Sequence, residues 1–465
     1  MQAIALGAPK RGGFAEEFVL RSAQILLHSL RALMAAPSLL FLAALTAMLL
    51  RHPDVAFYEI DRVAFILLVV GVVGSAVVLR QPLFVAERAT WPMVGLTLLA
   101  LVSVMGRPFD NETWCLLAAK YIVPFTLFHL ARLVFQGEVR FRQFEVFVVI
   151  VLAYLSFTAI AFMVGANSLI FPQFILDESL GHHADRARGP LLQAVANGVS
   201  LNLLGLLALH AYRRGSVRGI KMVGLLASVP FAILATMTRA VWLSFAGTVV
   251  ALVVFKNRHL PAPQFPTPKI PKAHLPKGRL SMNRALLSAC LGLVVMAGVG
   301  LGVALSPAQS DGALSERLEE RGPVEYREAV YAGGWDMFLQ RPLMGWGFNR
   351  MPTELPRHVT GYKEKVLYPH NTYLELLVEH GAVGLGLYLW LMWEMWRLGR
   401  GAIPREEKGG FLDRDFHRLW PILLGVYWVN AAMVVMSYQF VNGLLFTMAG
   451  MLAAQRRRAE ASPLC

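Results

Sequence analysis

The sequence predicts an all-α integral membrane protein with about 12 transmembrane helices and one large loop domain outside the membrane. Of its 465 residues, 56% are hydrophobic and 16% are charged. A soluble globular chain carries about 25% charged residues. The much lower charged fraction of this chain therefore excludes a soluble fold. Apolar runs of about 17–22 residues recur along the whole length, and each is long enough to cross a bilayer as a helix.

The predicted spans follow one another from residue 33 to residue 454, nine of them within 33–305 and three within 382–454. The two spans on either side of Arg239 form nearly one continuous apolar stretch that this residue interrupts. The spans are residues 33–50, 63–79, 89–106, 114–135, 146–166, 190–212, 222–238, 240–255, 285–305, 382–396, 419–436 and 438–454.

The distribution of Lys and Arg predicts the orientation, because cytoplasmic loops carry an excess of both. With the N-terminus inside, the inner segments hold 28 of the 44 Lys and Arg residues, and the short outer loops hold six. Both termini are therefore expected in the cytoplasm. The net charge of +14 follows from this orientation and from attraction to anionic membrane lipids, so no nucleic acid partner is needed to explain it.

Three cytoplasmic segments have a distinctive composition. Residues 1–32 include a stretch at 14–31, rich in Leu and Arg, that predicts an amphipathic helix on the membrane surface and no cleaved signal peptide. Residues 256–284 form a basic, Pro-rich linker, and residues 455–465 form a basic tail.

One long polar segment, residues 306–381, separates the ninth and tenth predicted spans. It contains a helical pattern, then the Pro- and Gly-punctuated run RPLMGWGFNRMP, and it leads to His370. Loops of this length in a compact protein are usually functional. We therefore expect residues 306–381 to form the extramembrane domain and to contribute to the site.

His370 and Asn371 stand at the predicted start of a helix. The positive end of a helix disfavours imidazolium, so a neutral imidazole that can accept a proton is expected there. A loop histidine that packs against the next membrane helix would explain the same residue without chemistry.

Four cationic residues at or near span ends are candidates for binding an anion: Arg186, Arg188, Arg239 and Lys120. Charges near membrane helices are costly and tend to mark function. The arginines could also be snorkelling interface residues, and Lys120 could simply reach the interface. Apolar residues flank Arg239, and of the four it is the residue for which a functional role is most clearly favoured over an interface role.

Guanidinium groups bind phosphate oxygens in a bidentate manner, and imidazole suits general-base chemistry near neutral pH. A sugar carried on a polyprenyl diphosphate would use both groups. The arginines would stabilise the departing diphosphate, and the histidine would take the proton of the attacking hydroxyl. A single displacement at an α-linked phosphate would invert the linkage.

Several motifs occur in an order that resembles a known family. They are Arg186-Ala187-Arg188-Gly189 with Asn197, Thr238-Arg239-Ala240-Val241-Trp242, Arg327 before Trp335, Pro342-Leu343-Met344-Gly345-Trp346-Gly347, His370-Asn371-Thr372-Tyr373-Leu374, and Glu379-His380-Gly381. The chain resembles the superfamily of O-antigen ligases and O-antigen polymerases of the bacterial inner membrane, over most of residues 180–390.

This resemblance implies a GT-C-like glycosyltransferase architecture with a periplasmic active site in the bacterial inner membrane. It implies an undecaprenyl-diphosphate-linked polysaccharide as donor, no metal and no cofactor. His370 would activate the acceptor, and Arg239 would hold the diphosphate together with Arg186 or Arg188. The family pattern favours Arg186, three residues before Gly189.

Residues near these groups are candidates for positioning the substrates: Asn371, Tyr373 and Arg327. Tyr373 could stack on a sugar, although aromatic residues near a membrane interface need no ligand. We expect Glu375 and Glu379, spaced i and i+4, to share an exposed helix face.

Acidic residues offer a metal-dependent alternative, which the flanking Arg62 and Arg107 make less favourable. The acidic pairs are Glu59 with Asp61 and Asp110 with Glu112, and His182, His183 and Asp185 form a further polar cluster. The pairs are expected to be neutralised interface charges, and the cluster to be a polar loop that shapes the donor site.

Three functions fit these features. The first is an O-antigen ligase that transfers polysaccharide to a lipid A–core acceptor. The second is an O-antigen or exopolysaccharide polymerase, or a protein O-oligosaccharyltransferase, with the same donor. The third is a polytopic transporter. A transporter would place charged residues deep within several spans, whereas the notable charges here gather on the outer side, which disfavours transport. The single dominant outer loop favours the ligase.

Overall fold

The computed structural model describes residues 36–51, 60–83, 86–181, 184–257, 322–359, 369–401, 403 and 410–461. Within these residues every regular element is a helix. In chain order the helices are α1 Pro37–Leu49, α2 Ile60–Val78, α3 Thr90–Met105, α4 Asn111–Val134, α5 Glu138–Met163, α6 Ala194–Arg214, α7 Ile220–Ala235, α8 Arg239–Asn257, α9 Gly322–Gln340, α10 Met351–His358, α11 Thr372–Leu398, α12 Arg414–Ala431 and α13 Gln439–Ala461.

Several predicted features lie outside the described residues. They are the N-terminal segment 1–32, nearly all of the linker 256–284, the span 285–305, the first part of the loop domain (306–321), Glu59, His182 and His183.

Five of the described helices are long and apolar enough to cross a membrane: α2, α4, α5, α6 and α11. The apolar helices α1, α3, α7 and α8 are shorter, and α12 and α13 fall in neither group. The all-helical fold and its membrane character are thus confirmed, while the count of 12 spans stays a prediction. Arg239 does separate two helices, since α7 ends at Ala235 and α8 begins at Arg239.

Contacts between the described connections sort them into two ends of the helical bundle. At the His370 end, defined by residues 107–113, 186–193, 235–239, 342–349, 369–372 and 432–438, Asn349 Nδ2 donates to Thr113 Oγ1 at 2.9 Å and Arg107 Nη1 donates to the Phe348 carbonyl at 2.9 Å. This grouping follows the alternation of loops that the Lys and Arg distribution predicts. Which side of the membrane each end faces stays a prediction.

At the opposite end, called the Arg400 end, residues 138–145, 210–214, 397–401, 410–415 and 455–461 meet. Arg214 forms ion pairs with Glu145 at 2.6 Å and with Glu138 at 2.9 Å, and thereby joins α6 to α5. His210 and the Phe411 carbonyl lie 2.8 Å apart, which joins α6 to the segment before α12.

The main apolar core runs through the helical bundle, and a second, smaller core lies at the His370 end. The second core consists of Val330, Met337, Met351, Leu355 and Val378. These residues come from α9, α10 and the first part of α11. The described part of the loop domain therefore packs directly onto the start of α11.

A backbone pairing fixes this domain to α11, and we call the pairing of residues 342–347 with residues 378–383 the clasp. Its hydrogen bonds run from Trp346 N to Val378 O (2.9 Å), Gly347 N to Glu379 O (2.8 Å), Ala382 N to Pro342 O (2.8 Å) and Val383 N to Leu343 O (3.2 Å). These contacts show the structural role of the motif Pro342–Gly347. It hydrogen-bonds to the backbone of α11 at the point where that helix is kinked.

Two glycines make the close approach in the clasp possible. Gly381 interrupts α11 with φ 66° and ψ −165°, and a Cβ there would overlap the Leu343 carbonyl. Gly345 has φ +68°, and a Cβ there would overlap the backbone of Glu379. Only glycine reaches these left-handed conformations at low cost and leaves room for the facing backbone.

We expect Gly381→Ala to destabilise the protein by about 1–3 kcal/mol from backbone strain alone, with the overlap on Leu343 adding to it. Gly386→Ala, five residues along the same helix, is the matched control, because a Cβ there meets nothing within 4 Å. Apparent melting temperatures in detergent should fall for Gly381→Ala and stay level or rise for Gly386→Ala. Equal melting temperatures would contradict the clasp.

Candidate functional site

His370 occupies a strained position immediately before α11. Its φ is 46°, in the left-handed region that few residues other than glycine adopt. The next residue, Asn371, caps α11: its Oδ1 accepts from Tyr373 N at 2.9 Å and from Leu374 N at 3.1 Å. The cap fixes the backbone on which the half-buried imidazole is mounted.

Helix α9 supplies the aromatic surroundings of His370. The Tyr326 ring lies 5.6 Å from the His370 ring, centroid to centroid, and the Tyr331 hydroxyl accepts from Asn371 Nδ2 at 3.3 Å. Arg327 follows Tyr326 on the same helix and is half-buried. The structure therefore brings His370, Asn371 and α9 together.

The loop between α12 and α13 holds the first residues of α11. Thr372 Oγ1 donates to Val434 O at 2.9 Å and accepts from Met436 N at 2.9 Å. Tyr373, expected to position substrate, donates its hydroxyl to the Trp428 carbonyl at 3.1 Å. In this geometry Tyr373 anchors α11 to α12.

The turn before α6 contains Arg186 and Arg188. Asn197 Nδ2 donates to the Ala187 carbonyl at 2.8 Å, and Gly189, with φ +58°, packs directly against the Asn197 side chain. The Arg-Ala-Arg-Gly motif and the downstream Asn197 therefore form one structural unit.

The two arginines of this turn have different surroundings. Arg188 is 1% exposed, and its guanidinium donates to the carbonyls of Ile175, Leu180 and Asp177. Burial lowers its pKa, while nearby carboxylates oppose that shift. The donors of Arg188 thus hold the preceding loop together and are not available to a diphosphate.

Arg186 has a partly exposed side chain and lies 3.7 Å from the Asp185 carboxylate. The geometry therefore favours Arg186 over Arg188 as the anion-binding residue.

Arg239 is exposed at the first position of α8. The residues before it are held in place, because Ala187 N donates to the Ala235 carbonyl at 3.1 Å and Thr238 Oγ1 donates to Thr236 O at 2.8 Å. The Arg186 turn and the α7–α8 turn are consequently adjacent. A cation at a helix N-terminus adds to the positive potential of the free N–H groups.

A series of contacts connects these arginines to His370. The loop 432–438 bonds to Thr372 through Val434 and Met436, and Tyr438 in the same loop is hydrogen-bonded to the Gln193 side chain. Gln193 immediately precedes α6, four residues after Gly189. One loop therefore contacts both the segment that carries His370 and the segment that follows Arg186.

Lys120 faces the interior of the helical bundle. It sits in a π-helical turn, Ala118–Ile122, and its Nζ is 2.7 Å from Glu375 Oε2. Both side chains are about nine-tenths buried, at 8% and 10% exposure. Lys120 is occupied by an ion pair inside the bundle, so its diphosphate-binding role is not favoured by the geometry.

The prediction that Glu375 and Glu379 share an exposed face is wrong. Both are buried, at 8% and 2% exposure. Glu375 pairs with Lys120, and Glu379 accepts from the backbone N–H groups of Asn349 and Met351 at the start of α10. The i and i+4 spacing predicts a shared helix face but not what that face packs against. The partner of each carboxylate comes from a distant part of the chain, so the spacing alone does not indicate burial.

Sequence reasoning gave no separate role to His380, and it treated Arg107 only as a charge that flanks the acidic pair Asp110 and Glu112. His380 is buried against Tyr121, with the Tyr121 hydroxyl 3.4 Å from His380 Nε2, and against the Phe348 ring. Arg107 binds the Phe348 carbonyl. The available signals were a cation just after one predicted span and a His-Gly pair just before another.

The acidic residues of the second outer loop have a structural role. Asp110 caps α4 by accepting from the backbone of Glu112 and Thr113. The Thr113 hydroxyl, which also donates to Asp110, lowers the pKa of that carboxyl. Among the described residues no group of three or more His, Cys, Asp or Glu side chains has the arrangement of a metal site.

Comparison with known families identifies the central part of the chain. Residues 222–389 match the family model described as O-antigen ligase. This part of the chain is therefore similar to the O-antigen ligase family. Members of that family are glycosyltransferase-like enzymes. The match confirms the resemblance inferred from the motifs and includes Arg239, Arg327 and His370, whereas Arg186 and Arg188 precede it. No curated protein matches the chain.

The buried ion pair between Lys120 of α4 and Glu375 of α11 can be tested by substitution. We expect Lys120→Met to destabilise the protein by about 3–5 kcal/mol, because it leaves Glu375 charged and unpaired. Adding Glu375→Leu should recover most of the lost free energy of unfolding, since an apolar pair of similar volume can replace a buried ion pair.

Thermal unfolding of the wild type, both single variants and the double variant measures the coupling between Lys120 and Glu375. A double variant that is as unstable as Lys120→Met would contradict a structural role for the pair.

Proposed function

We propose that the protein is an O-antigen ligase, an inverting, metal-independent glycosyltransferase. It moves polysaccharide from undecaprenyl diphosphate to a sugar hydroxyl of lipid A–core. The proposal rests on one observation: the O-antigen ligase match includes both Arg239 and His370, and one loop contacts the start of α11 and the turn after Arg186.

Arg239 and Arg186 bind the donor diphosphate. Arg239 is exposed at a helix start, and Arg186 is partly exposed in the adjacent turn. Two guanidinium groups match the oxygens of a diphosphate and stabilise the charge that develops as it leaves. Arg188 contributes indirectly, because it holds the loop 175–180 beneath the turn.

His370 activates the acceptor. An imidazole nitrogen takes the proton from the acceptor hydroxyl while the hydroxyl oxygen attacks the anomeric carbon. The bond between that carbon and the phosphate oxygen breaks, and its electron pair departs on the diphosphate. One displacement inverts the configuration. The aromatic side chains of α9 beside His370 and the cap at Asn371 fix the direction of the imidazole.

The orientation that the Lys and Arg distribution favours puts this chemistry in the periplasm. The His370 end then faces the periplasm and the Arg400 end faces the cytoplasm, in the bacterial inner membrane. A periplasmic His370 end suits a donor whose polysaccharide is already outside the cytoplasm.

A polymerase or a protein O-oligosaccharyltransferase of the same superfamily would use the same donor groups with another acceptor. The acceptor therefore has to be identified by experiment.

The test uses a ligase-deficient Gram-negative strain with matched core and O-antigen pathways. Wild-type protein should restore an O-antigen ladder on lipid A–core. His370→Ala should lower transfer by about 10²–10⁴-fold, the usual contribution of a general base. Arg239→Ala should lower it by about 10²–10³-fold, the cost of losing one group that stabilises developing charge.

Two controls are matched in residue type and lie in α10. His358→Ala removes a histidine that pairs with Asp336, and Arg357→Ala removes an arginine that is 74% exposed. Both should keep the ladder. A ladder from His370→Ala at wild-type strength would contradict the base assignment. Longer lipid-linked polymer without attachment to lipid A–core would identify a polymerase instead.

A further inference from the structure

A polar cavity lies at the Arg400 end, remote from His370. Its volume is about 450 Å³, and it opens between the end of α11 and the end of α13. Helix α11 runs from one end to the other over 27 residues, about 40 Å at 1.5 Å per residue. The cavity is lined by Trp393, Trp396, Arg397, Arg400, Gly401, Arg456, Ala459 and Glu460.

The charges around this cavity do not balance. Arg397 is 3.2 Å from Glu394, and Arg456 is 2.9 Å from Glu460. Arg400 is exposed and lies over the Trp396 ring, 3.6 Å from its centroid. Among the described residues, three guanidinium groups therefore share two carboxylates, and the surplus positive charge lies at the mouth of the cavity.

Tryptophans place the cavity at the level of lipid headgroups. Trp390 is 42% exposed and Trp393 is 54% exposed on the outer surface of α11. Tryptophan concentrates where the hydrocarbon meets the polar headgroups. The neighbouring Leu389, 49% exposed, extends this surface toward the hydrocarbon side.

We infer that this cavity binds the phosphate of an anionic phospholipid. Guanidinium groups bind phosphate oxygens in a bidentate manner, and basic pockets between membrane helices are suited to acidic headgroups. The acyl chains then lie along the exposed tryptophans and Leu389. A free phosphate ion would leave that apolar surface unused, and a choline headgroup would bring a cation against Arg400.

The bound lipid joins the ends of α11 and α13. Arg397 lies in the last turn of α11, Arg400 lies two residues beyond it, and Arg456 lies near the end of α13. Because neither the clasp nor His370 lies at this end, the lipid site is independent of the proposed transfer reaction.

Native mass spectrometry of the full-length protein, released from detergent, tests this inference. Added phosphatidylglycerol should give a discrete one-lipid adduct, and phosphatidylcholine should give much less. Arg400→Gln and Arg456→Gln should each weaken the phosphatidylglycerol adduct by about tenfold, from the loss of a charge-assisted hydrogen-bonding group.

Arg418→Gln is the matched control. Arg418 is a partly exposed arginine in the second turn of α12 at the same end of the bundle, paired with Asp415, and it does not line the cavity. Its adduct should equal that of the wild type. Thermal unfolding without added lipid should give similar melting temperatures for all variants, and phosphatidylglycerol should raise the melting temperature of the wild type and Arg418→Gln alone.

Three results would overturn the inference. The first is a phosphatidylglycerol adduct that is undiminished in each of the variants Arg400→Gln and Arg456→Gln. The second is equal binding of phosphatidylcholine and phosphatidylglycerol. The third is complete displacement of phosphatidylglycerol by millimolar inorganic phosphate. The last would identify an ion site instead of a lipid site.

Discussion

The backbone pairing between residues 342–347 and 378–383 is the constraint on which the rest of the His370 end depends. A membrane helix ordinarily satisfies its own backbone hydrogen bonds, and a loop domain would then be attached through side chains alone. Here Gly381 breaks α11, and the freed backbone bonds to the loop. The short core of α9, α10 and Val378 forms against this junction, and His370 stands eleven residues before the break.

Buried charge reinforces the same junction. Lys120 pairs with Glu375 on one side of it, and Glu379 binds the start of α10 on the other. Charges inside a membrane protein are tolerated when they find partners in the bundle interior. The ion pair and the clasp together hold α4, α10 and α11 in one arrangement. The helix that Asn371 caps is therefore fixed in position.

The sequence predicted more of the fold than of the site. Apolar runs and the break at Arg239 predicted most membrane helices, because length and hydropathy are local properties. Hydropathy predicts a tenth span that begins at residue 382, whereas α11 begins at Thr372. The charge of Glu375 ends the apolar stretch in the sequence, and only the structure shows that Lys120 pairs with it. The role of Arg188 depends on three carbonyls that bind it, and no sequence pattern marks carbonyls.

Hydrogen–deuterium exchange of the wild-type protein in lipid nanodiscs tests the clasp most directly. The informative peptides cover the amides of Trp346, Gly347, Ala382 and Val383, which donate across the pairing. The account predicts exchange over about minutes to hours at these four amides, as for amides that exchange only when structure opens. Complete exchange within seconds would show that the loop is not paired with α11, and would contradict the account.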